Sequence, residues 1–290
     1  IMKINFSIKY FTHWGQNMAI SGSLPQLGED NPAKAVFMNF QWKENWSYTI
    51  EVDAQEPFEF TYRYLLKDSN GLDNFEWGTD RVIKVDPKTQ QEIFLVDTWN
   101  NPGAVENVFM TAPFQEVLFK ENYLPVKTPN KVKYTHILRV KAPLIKKGEG
   151  LCVVGNVKAL GKWDTSKAVV LNNQDGPWWS VKLDLSKEEA TGVSYKYAIY
   201  DLEDKTFRYF ENGPDRYAPI NPGKSTTIVS DGFANFYNQQ FHGAGVGIPV
   251  FSIRTRNSFG VGDFADIPML VDWAAKVGLK LIQFLPLNDT

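Results

Sequence analysis

Residues Gly155 to Arg216 contain four informative runs: GNVKALGKW (155–163), PWWSVKL (177–183), SYKYAIYD (194–201) and FENGPDR (210–216). A shift of 133 positions lays this stretch over an earlier one. Gly22 falls on Gly155, Leu27 on Leu160, Gly28 on Gly161, Trp46 on Trp179, Tyr62 on Tyr195 and Arg63 on Lys196. The shift needs no gap from Gly22 to Trp77, and it pairs Trp77 with Phe210. Glycines, aromatics and a basic residue recurring at one offset define an internal repeat, so the chain carries two copies of one domain.

Each copy has the two-residue period of strands that bury one face. Trp46, Tyr48, Ile50 and Val52 alternate with Ser47, Thr49 and Glu51, and Trp179, Val181, Leu183 and Leu185 alternate with Ser180, Lys182 and Asp184. Clusters of Gly, Asn, Asp and Pro separate the runs, with little helical periodicity. A mainly β fold is expected, with two antiparallel β-sandwich domains at residues 1–122 and 133–230. Residues 123–132, with two prolines, read as a stiff linker. Residues 231–247, rich in Asn, Gln and Gly, read as a second linker. Its Gly243 to Gly247 run is taken as a hinge rather than a phosphate loop, since no strand pattern leads into it and no Gly-Lys-Ser/Thr follows.

The pattern changes after the second linker. Ile248 to Ile253 is a short apolar run. Ile267, Leu270, Val271, Ala274 and Val277 share one helical face, with Asp266 placed as N-cap and Gly278 as C-cap. Leu279 to Leu287 is nearly unbroken apolar, as in a strand buried on both faces. Residues 248–290 therefore read as a βαβ unit, which cannot bury its own apolar faces.

Net charge is −2, so no basic surplus points to nucleic acid or a membrane surface. No run of 18 apolar residues predicts a membrane span, and the alternating start of the chain is a poor signal peptide. The single cysteine, Cys152, lies in an apolar run, which predicts an inert buried thiol and a reducing, cytoplasmic location. His13, His136 and His242 are too scattered for a metal site, and neither metal nor cofactor is expected. Nine tryptophans in 290 residues is a large supply of flat apolar surface, usable as core or as a ligand platform.

The runs Leu160-Gly161-Lys162-Trp163, Pro177-Trp178-Trp179, Tyr195-Lys196-Tyr197 and Glu211…Pro214-Asp215-Arg216 resemble the starch-binding domain of carbohydrate-binding module family 20. The likeness covers the whole second copy and, more weakly, the first. It implies an α-glucan site at Trp163, Lys196 and Phe210, with Glu211 alongside; Phe210 stands where the family has a tryptophan. It implies a second site at Trp46 in the first copy and Trp179 in the second. In the first copy Asp30 stands where Trp163 does, while Arg63 and Trp77 remain. The residues themselves leave alternatives open. Alternation puts Trp179 and Trp46 on the face of Val181 and Ile50, where core packing fits as well as binding. Trp178 points the other way and is the candidate exposed member of its pair.

The tail motifs Ile248 to Arg254, Phe259-Gly260-Val261-Gly262-Asp263-Phe264 and Gln283 to Thr290 resemble the opening of glycoside hydrolase family 77, the 4-α-glucanotransferases. That likeness implies a truncated TIM barrel and a retaining transfer of α-1,4-glucan segments. Such chemistry needs two carboxyl groups about 5–5.5 Å apart on loops at the C-terminal ends of strands. Asp263 and Asp289 lie at that edge as possible substrate contacts, but neither matches the family's catalytic acids, so this chain is expected to be inactive alone. The expected partner is α-glucan: starch, glycogen or maltodextrin. The alternative is a non-catalytic glycan-binding or targeting protein with a docking βαβ tail.

Overall fold

The computed structural model describes residues 1–71, 73–122, 125, 126, 128, 133–175, 178–221 and 223–285. The first repeat contributes β1 (Met2–Lys9), β2 (Asn17–Gly22), β3 (Val36–Phe37), β4 (Asn39–Phe40), β5 (Asn45–Val52), β6 (Phe58–Lys67), β7 (Asp73–Phe75), β8 (Arg81–Val85) and β9 (Glu92–Thr98). The second contributes β10 (His136–Lys141), β11 (Glu149–Gly155), β12 (Val169–Val170), β13 (Asn172–Asp175), β14 (Trp178–Leu183), β15 (Gly192–Asp201), β16 (Thr206–Phe210), β17 (Arg216–Pro219) and β18 (Ser225–Phe233). The tail holds β19 (Gly245–Ile248), α1 (Ile267–Lys276) and β20 (Leu281–Phe284).

The two sandwiches are fused rather than merely tethered. One eight-stranded sheet runs β13-β14-β10-β18-β9-β1-β5-β4 through both repeats. Its middle pairs, β10 with β18, β18 with β9 and β9 with β1, are parallel, and the other four are antiparallel. A five-stranded sheet, β3-β2-β6-β7 with β8 on β6, closes the first sandwich. A matching sheet, β12-β11-β15-β16 with β17 on β15, closes the second. Successive residues of a strand point to opposite faces. Ile228 therefore enters the first core while its neighbour Val229 enters the second, so the two closing sheets cover opposite faces of the shared one. Residues 1–239 form one compact unit.

The alternation read from the sequence is the burial pattern of the strands. In β14 the residues Trp179, Val181 and Leu183 are buried, and Ser180 and Lys182 are half-buried. Each core carries a matched polar anchor. Tyr62 and Tyr64 donate hydroxyl hydrogen bonds to Asp97 at 2.7 and 2.9 Å, and Tyr195 and Tyr197 donate to Asp231, both at 2.7 Å. Burial, with the negative Asp231 beside them, holds the pKa values of Tyr195 and Tyr197 well above the ordinary phenol value, so they stay protonated as donors.

Two boundaries differ from the sequence reading. Asp231 belongs to β18 and is a core anchor, not the first residue of a linker. Gly245 to Gly247 lie in β19, not in a hinge: Gly245 packs so closely on Leu281 that a side chain there would meet its backbone. Residues 72, 123, 124, 127, 129–132, 176, 177, 222 and 286–290 lie outside the described residues, and with them most of the first linker and Asp289.

The tail is a second compact unit, from residue 240 onward. In it β19 and β20 pair in parallel, with α1 between them in sequence. Asp263 caps a short 3₁₀ turn that leads into α1, and its carboxylate accepts from Ala265 N–H at 2.8 Å. Asp266 is buried and binds the preceding loop, accepting from Thr255 Oγ1, from Ser258 Oγ at 2.8 Å and from Asp263 N–H at 3.1 Å. It occupies the cap position of α1, but its side chain caps no α1 amide. Two strands cannot cover the apolar stripe of α1: Ala274 is buried, while Val271 and Val277 of the expected face remain exposed. Among the described residues no helix is long and apolar enough to cross a membrane.

Candidate carbohydrate-binding sites

In the second sandwich the segment after β11 turns sharply to present Trp163. Gly161, Lys162 and Trp163 have φ of 76°, 51° and 65°, three successive left-handed residues. For the two that are not glycine this conformation costs on the order of 1 kcal/mol each. The loop is held from both ends. Trp163 N–H donates to Gly155 O at 2.8 Å, and the next residue, Asp164, caps a 3₁₀ turn by accepting from Ser166 N–H at 3.0 Å. The hydrogen bonds from Ser166, with Lys167 beside it at 2.9 Å, bring the Asp164 carboxyl down to about 2. Gly155 is required because a Cβ there would sit 2.6 Å from Ser194 O.

The result is a solvent-facing aromatic pair. Trp163 is 37 % exposed, and its ring meets Phe210 edge to face with centroids 6.5 Å apart. Lys196 stands opposite Val154 on β15, on the same face as Ala198, whose cross-strand partner is Phe210. The structure thus brings together Trp163, Lys196 and Phe210 on the outer face of the second closing sheet. A flat apolar face beside an ammonium donor suits a ring with a C–H side and hydroxyl edges.

Glu211 is not part of that surface. It is 4 % exposed and forms a two-pronged pair with Arg216, Nε to Oε1 and Nη2 to Oε2, both at 2.8 Å. Its Oε1 also accepts from Tyr197 N–H at 3.0 Å. It fixes the end of β16 and so positions Phe210 from behind.

Trp179 and Trp46 are also corrected. They are 1 % and 4 % exposed, deep in the two cores, and neither can offer a face to a ligand. The alternation that paired them with Val181 and Ile50 decides for packing. Trp178 points away from the core, but its face is occupied: Arg139 Cζ and Lys141 Nζ lie 4.9 and 4.8 Å from its ring centroid.

In the first sandwich the 133-residue offset breaks between β6 and β7. Leu65 pairs with Phe75 where Ala198 pairs with Phe210, and Glu76 accepts from Tyr64 N–H where Glu211 accepts from Tyr197 N–H. The β15–β16 hairpin is two residues longer, so Phe75, not Trp77, is the counterpart of Phe210. Trp77 corresponds to Asn212: Trp77 N–H donates to Asn100 O as Asn212 N–H donates to Asn235 O. Trp77 lines a cleft between the sandwiches. The corresponding surface therefore holds Asp30, Arg63 and Phe75. Arg63 is tied to Asp80 at 2.5 Å and to Gly78 O at 2.8 Å and lies over Phe75 at 5.3 Å, which leaves it little freedom to reach a ligand.

The first sandwich has another aromatic surface that the repeat reading passed over. Trp14 is fully exposed, and Trp42 is 82 % exposed on a turn whose next two residues, Lys43 and Glu44, are left-handed. The two tryptophans lie on segments flanking the Lys9–Asn45 pair, where Tyr10 N–H also donates to Glu44 O at 2.9 Å. At the 133-residue offset Lys147 replaces Trp14, beside the equivalent left-handed Gly148, and Asp175 replaces Trp42. The signal was available: tryptophans in polar, turn-forming contexts outside the strand alternation.

Fold and surface together describe a tandem β-sandwich protein with aromatic platforms. The starch binding domain family model matches residues 1–94 and 135–230, more than half of the chain, and the chain belongs to that family. Residues 248–290 match the 4-alpha-glucanotransferase family model. Over 98 % of its length the chain is 30 % identical to the 4-alpha-glucanotransferase DPE2 of Oryza sativa subsp. japonica, and it spans 31 % of that protein. A 4-alpha-glucanotransferase of Chlamydia pneumoniae is 52 % identical over 16 % of the chain, which is 9 % of that relative. Among solved structures, the family 20 module of a maltotetraose-forming amylase from Pseudomonas saccharophila aligns with 32 % of this chain and 97 % of its own, at 24 % identity and a TM-score of 0.27.

Proposed function

We propose that residues 1–239 bind α-glucan through two unlike surfaces and hold it for a 4-α-glucanotransferase whose barrel begins at the tail. The observation that carries the reading is the Trp163–Phe210 pair beside Lys196, with Trp163 presented to solvent on a left-handed loop. Trp14 and Trp42 supply the surface of the first sandwich, where the Asp30 surface lacks a platform. Weak sites on one compact unit act together, because the second contact forms at a high effective concentration.

Calorimetry with β-cyclodextrin or maltoheptaose tests this. Trp163→Ala should weaken binding at least about tenfold, as the loss of a central aromatic contact does. Adding Trp14→Ala and Trp42→Ala should remove the remainder. Unchanged affinity in the triple variant would refute the reading.

For the whole protein we propose a cytoplasmic, retaining 4-α-glucanotransferase acting on maltodextrin, starch or glycogen chains. The exposed apolar face of α1 is the kind of surface a continuing α/β barrel would cover. Asp263, exposed beside α1, is proposed to shape the sugar site there, and Asp289 likewise. The 290-residue chain should release no glucose from maltotriose, and release from a clean preparation would show that catalytic acids lie within it.

A further inference from the structure

Where the sandwiches meet, a cleft of about 690 Å³ opens. It lies at the C-terminal ends of the parallel strands β10, β18 and β9, and the loop before β8 closes its far side. Trp77 and Trp99 from the first sandwich and Phe233 from the second provide half-buried aromatic walls. Neither sandwich alone could make it.

Among the described residues the charge lining this cleft is unbalanced. Its carboxylate Asp80 is bound to Arg63, and Glu76 and Asp97 behind it are bound to Arg81. Arg139 and Lys141 are left. Both are half-buried, both lie against Trp178, and Lys141 Nζ is also 5.1 Å from the Phe233 ring centroid. Among the described residues neither side chain has an ion pair or a hydrogen bond to a protein acceptor. Burial, then the positive Arg81 nearby, brings the Lys141 ammonium down to about 8. A half-buried cation pair whose N–H donors lack acceptors is a costly arrangement that an oxyanion would relieve, through short charge-assisted hydrogen bonds. The aromatic rings hold the two cations in place without neutralising them.

We propose that this cleft binds the phosphate group of a phosphorylated sugar, with Arg139 and Lys141 as its ligands and Trp77, Trp99 and Phe233 against the sugar. The sugar half of the proposal rests on the glycan-binding reading above; the oxyanion half stands on the cleft alone. It would let the tandem unit distinguish phosphorylated from plain glucan at a place remote from Trp163.

Glucose 6-phosphate, inorganic phosphate and β-cyclodextrin titrated into the chain, read by tryptophan fluorescence and calorimetry, test the proposal. Glucose 6-phosphate should bind saturably and more tightly than inorganic phosphate. Arg139→Gln with Lys141→Gln should weaken it at least about tenfold, while Lys141→Arg retains it and β-cyclodextrin affinity stays unchanged in both. Glucose 6-phosphate binding that persists in the double variant would overturn the site. So would its absence from a chain that still binds β-cyclodextrin, or its loss on Trp163→Ala. Phosphate binding as tightly as glucose 6-phosphate would overturn the sugar half. If β-cyclodextrin fails to bind while glucose 6-phosphate binds as stated, the glycan reading falls and the oxyanion site stands.

Discussion

The indole of Trp163 and the phenyl ring of Phe210 meet edge to face, with centroids 6.5 Å apart, although 47 residues separate them in sequence. The contact depends on a left-handed loop on one side and on a buried arginine–carboxylate pair on the other. Its two rings are therefore separately adjustable.

Phe210→Trp should strengthen the site. An indole offers more stacking area and an N–H donor. Calorimetry with maltoheptaose is expected to show affinity several-fold higher than in the unsubstituted chain, and a weaker complex would mean that Phe210 packs without contacting glycan.

Asp30→Trp should install the missing platform in the first sandwich. Glu29 and Asp30 already hold the left-handed conformation of Lys162 and Trp163, and Asp30 N–H donates to Gly22 O as Trp163 N–H does to Gly155 O. In a background carrying Trp163→Ala, Trp14→Ala and Trp42→Ala the substitution should restore measurable β-cyclodextrin binding. If it does not, the pinned Arg63 rather than the absent ring is what silences that surface.

Glu211→Ala should cost stability. The Arg216 guanidinium would lose its two-pronged partner while keeping Asp231 at 3.6 Å and two backbone carbonyls, a change worth about 1.5–3 kcal/mol. Urea unfolding followed by circular dichroism would measure it. A loss below about 1 kcal/mol would return Glu211 to the candidate ligand contacts.

His136 should make stability depend on pH. Burial pushes its imidazole below the ordinary 6.5, and its ring nitrogens are engaged by Thr135 Oγ1 and Pro219 O, both at 2.9 Å. The unfolded chain takes up a proton near pH 6.5, whereas the folded chain resists until a lower pH. This contribution is therefore complete above 6.5 and is lost as pH falls through 6.5 toward the folded value. Denaturant midpoints from pH 7.5 to 5 should fall, and His136→Gln should flatten that slope.

Cys152 should be chemically silent. It is fully buried, and burial pushes its thiol up to about 12. A disulfide reagent at pH 8 should label no thiol in the native chain and one in denaturant. Prompt native labelling would mean that β11 opens locally.

The sequence alone carried the repeat, the strand alternation and the class of the fold. These are local or one-dimensional signals: a glycine that tolerates close approach, a two-residue period, an offset. Trp163, Lys196 and Phe210 became candidates through the resemblance to family 20 modules, since each sits in a short motif of that family. Trp179 and Trp46 were ambiguous, because a pattern says which face a ring is on but not whether anything covers that face.

What only the tertiary structure decided depends on contacts between distant segments. A two-residue difference in hairpin length moved the counterpart of Phe210 from Trp77 to Phe75, which shows only when cross-strand partners are known. The fusion of the sandwiches through β9 and β18 has no sequence signature, because backbone hydrogen bonds between parallel strands are indifferent to side chains. The cleft holding Arg139 and Lys141 follows from that fusion: charge balance is a property of neighbours in space, and among the described residues these two cations face it without a carboxylate partner.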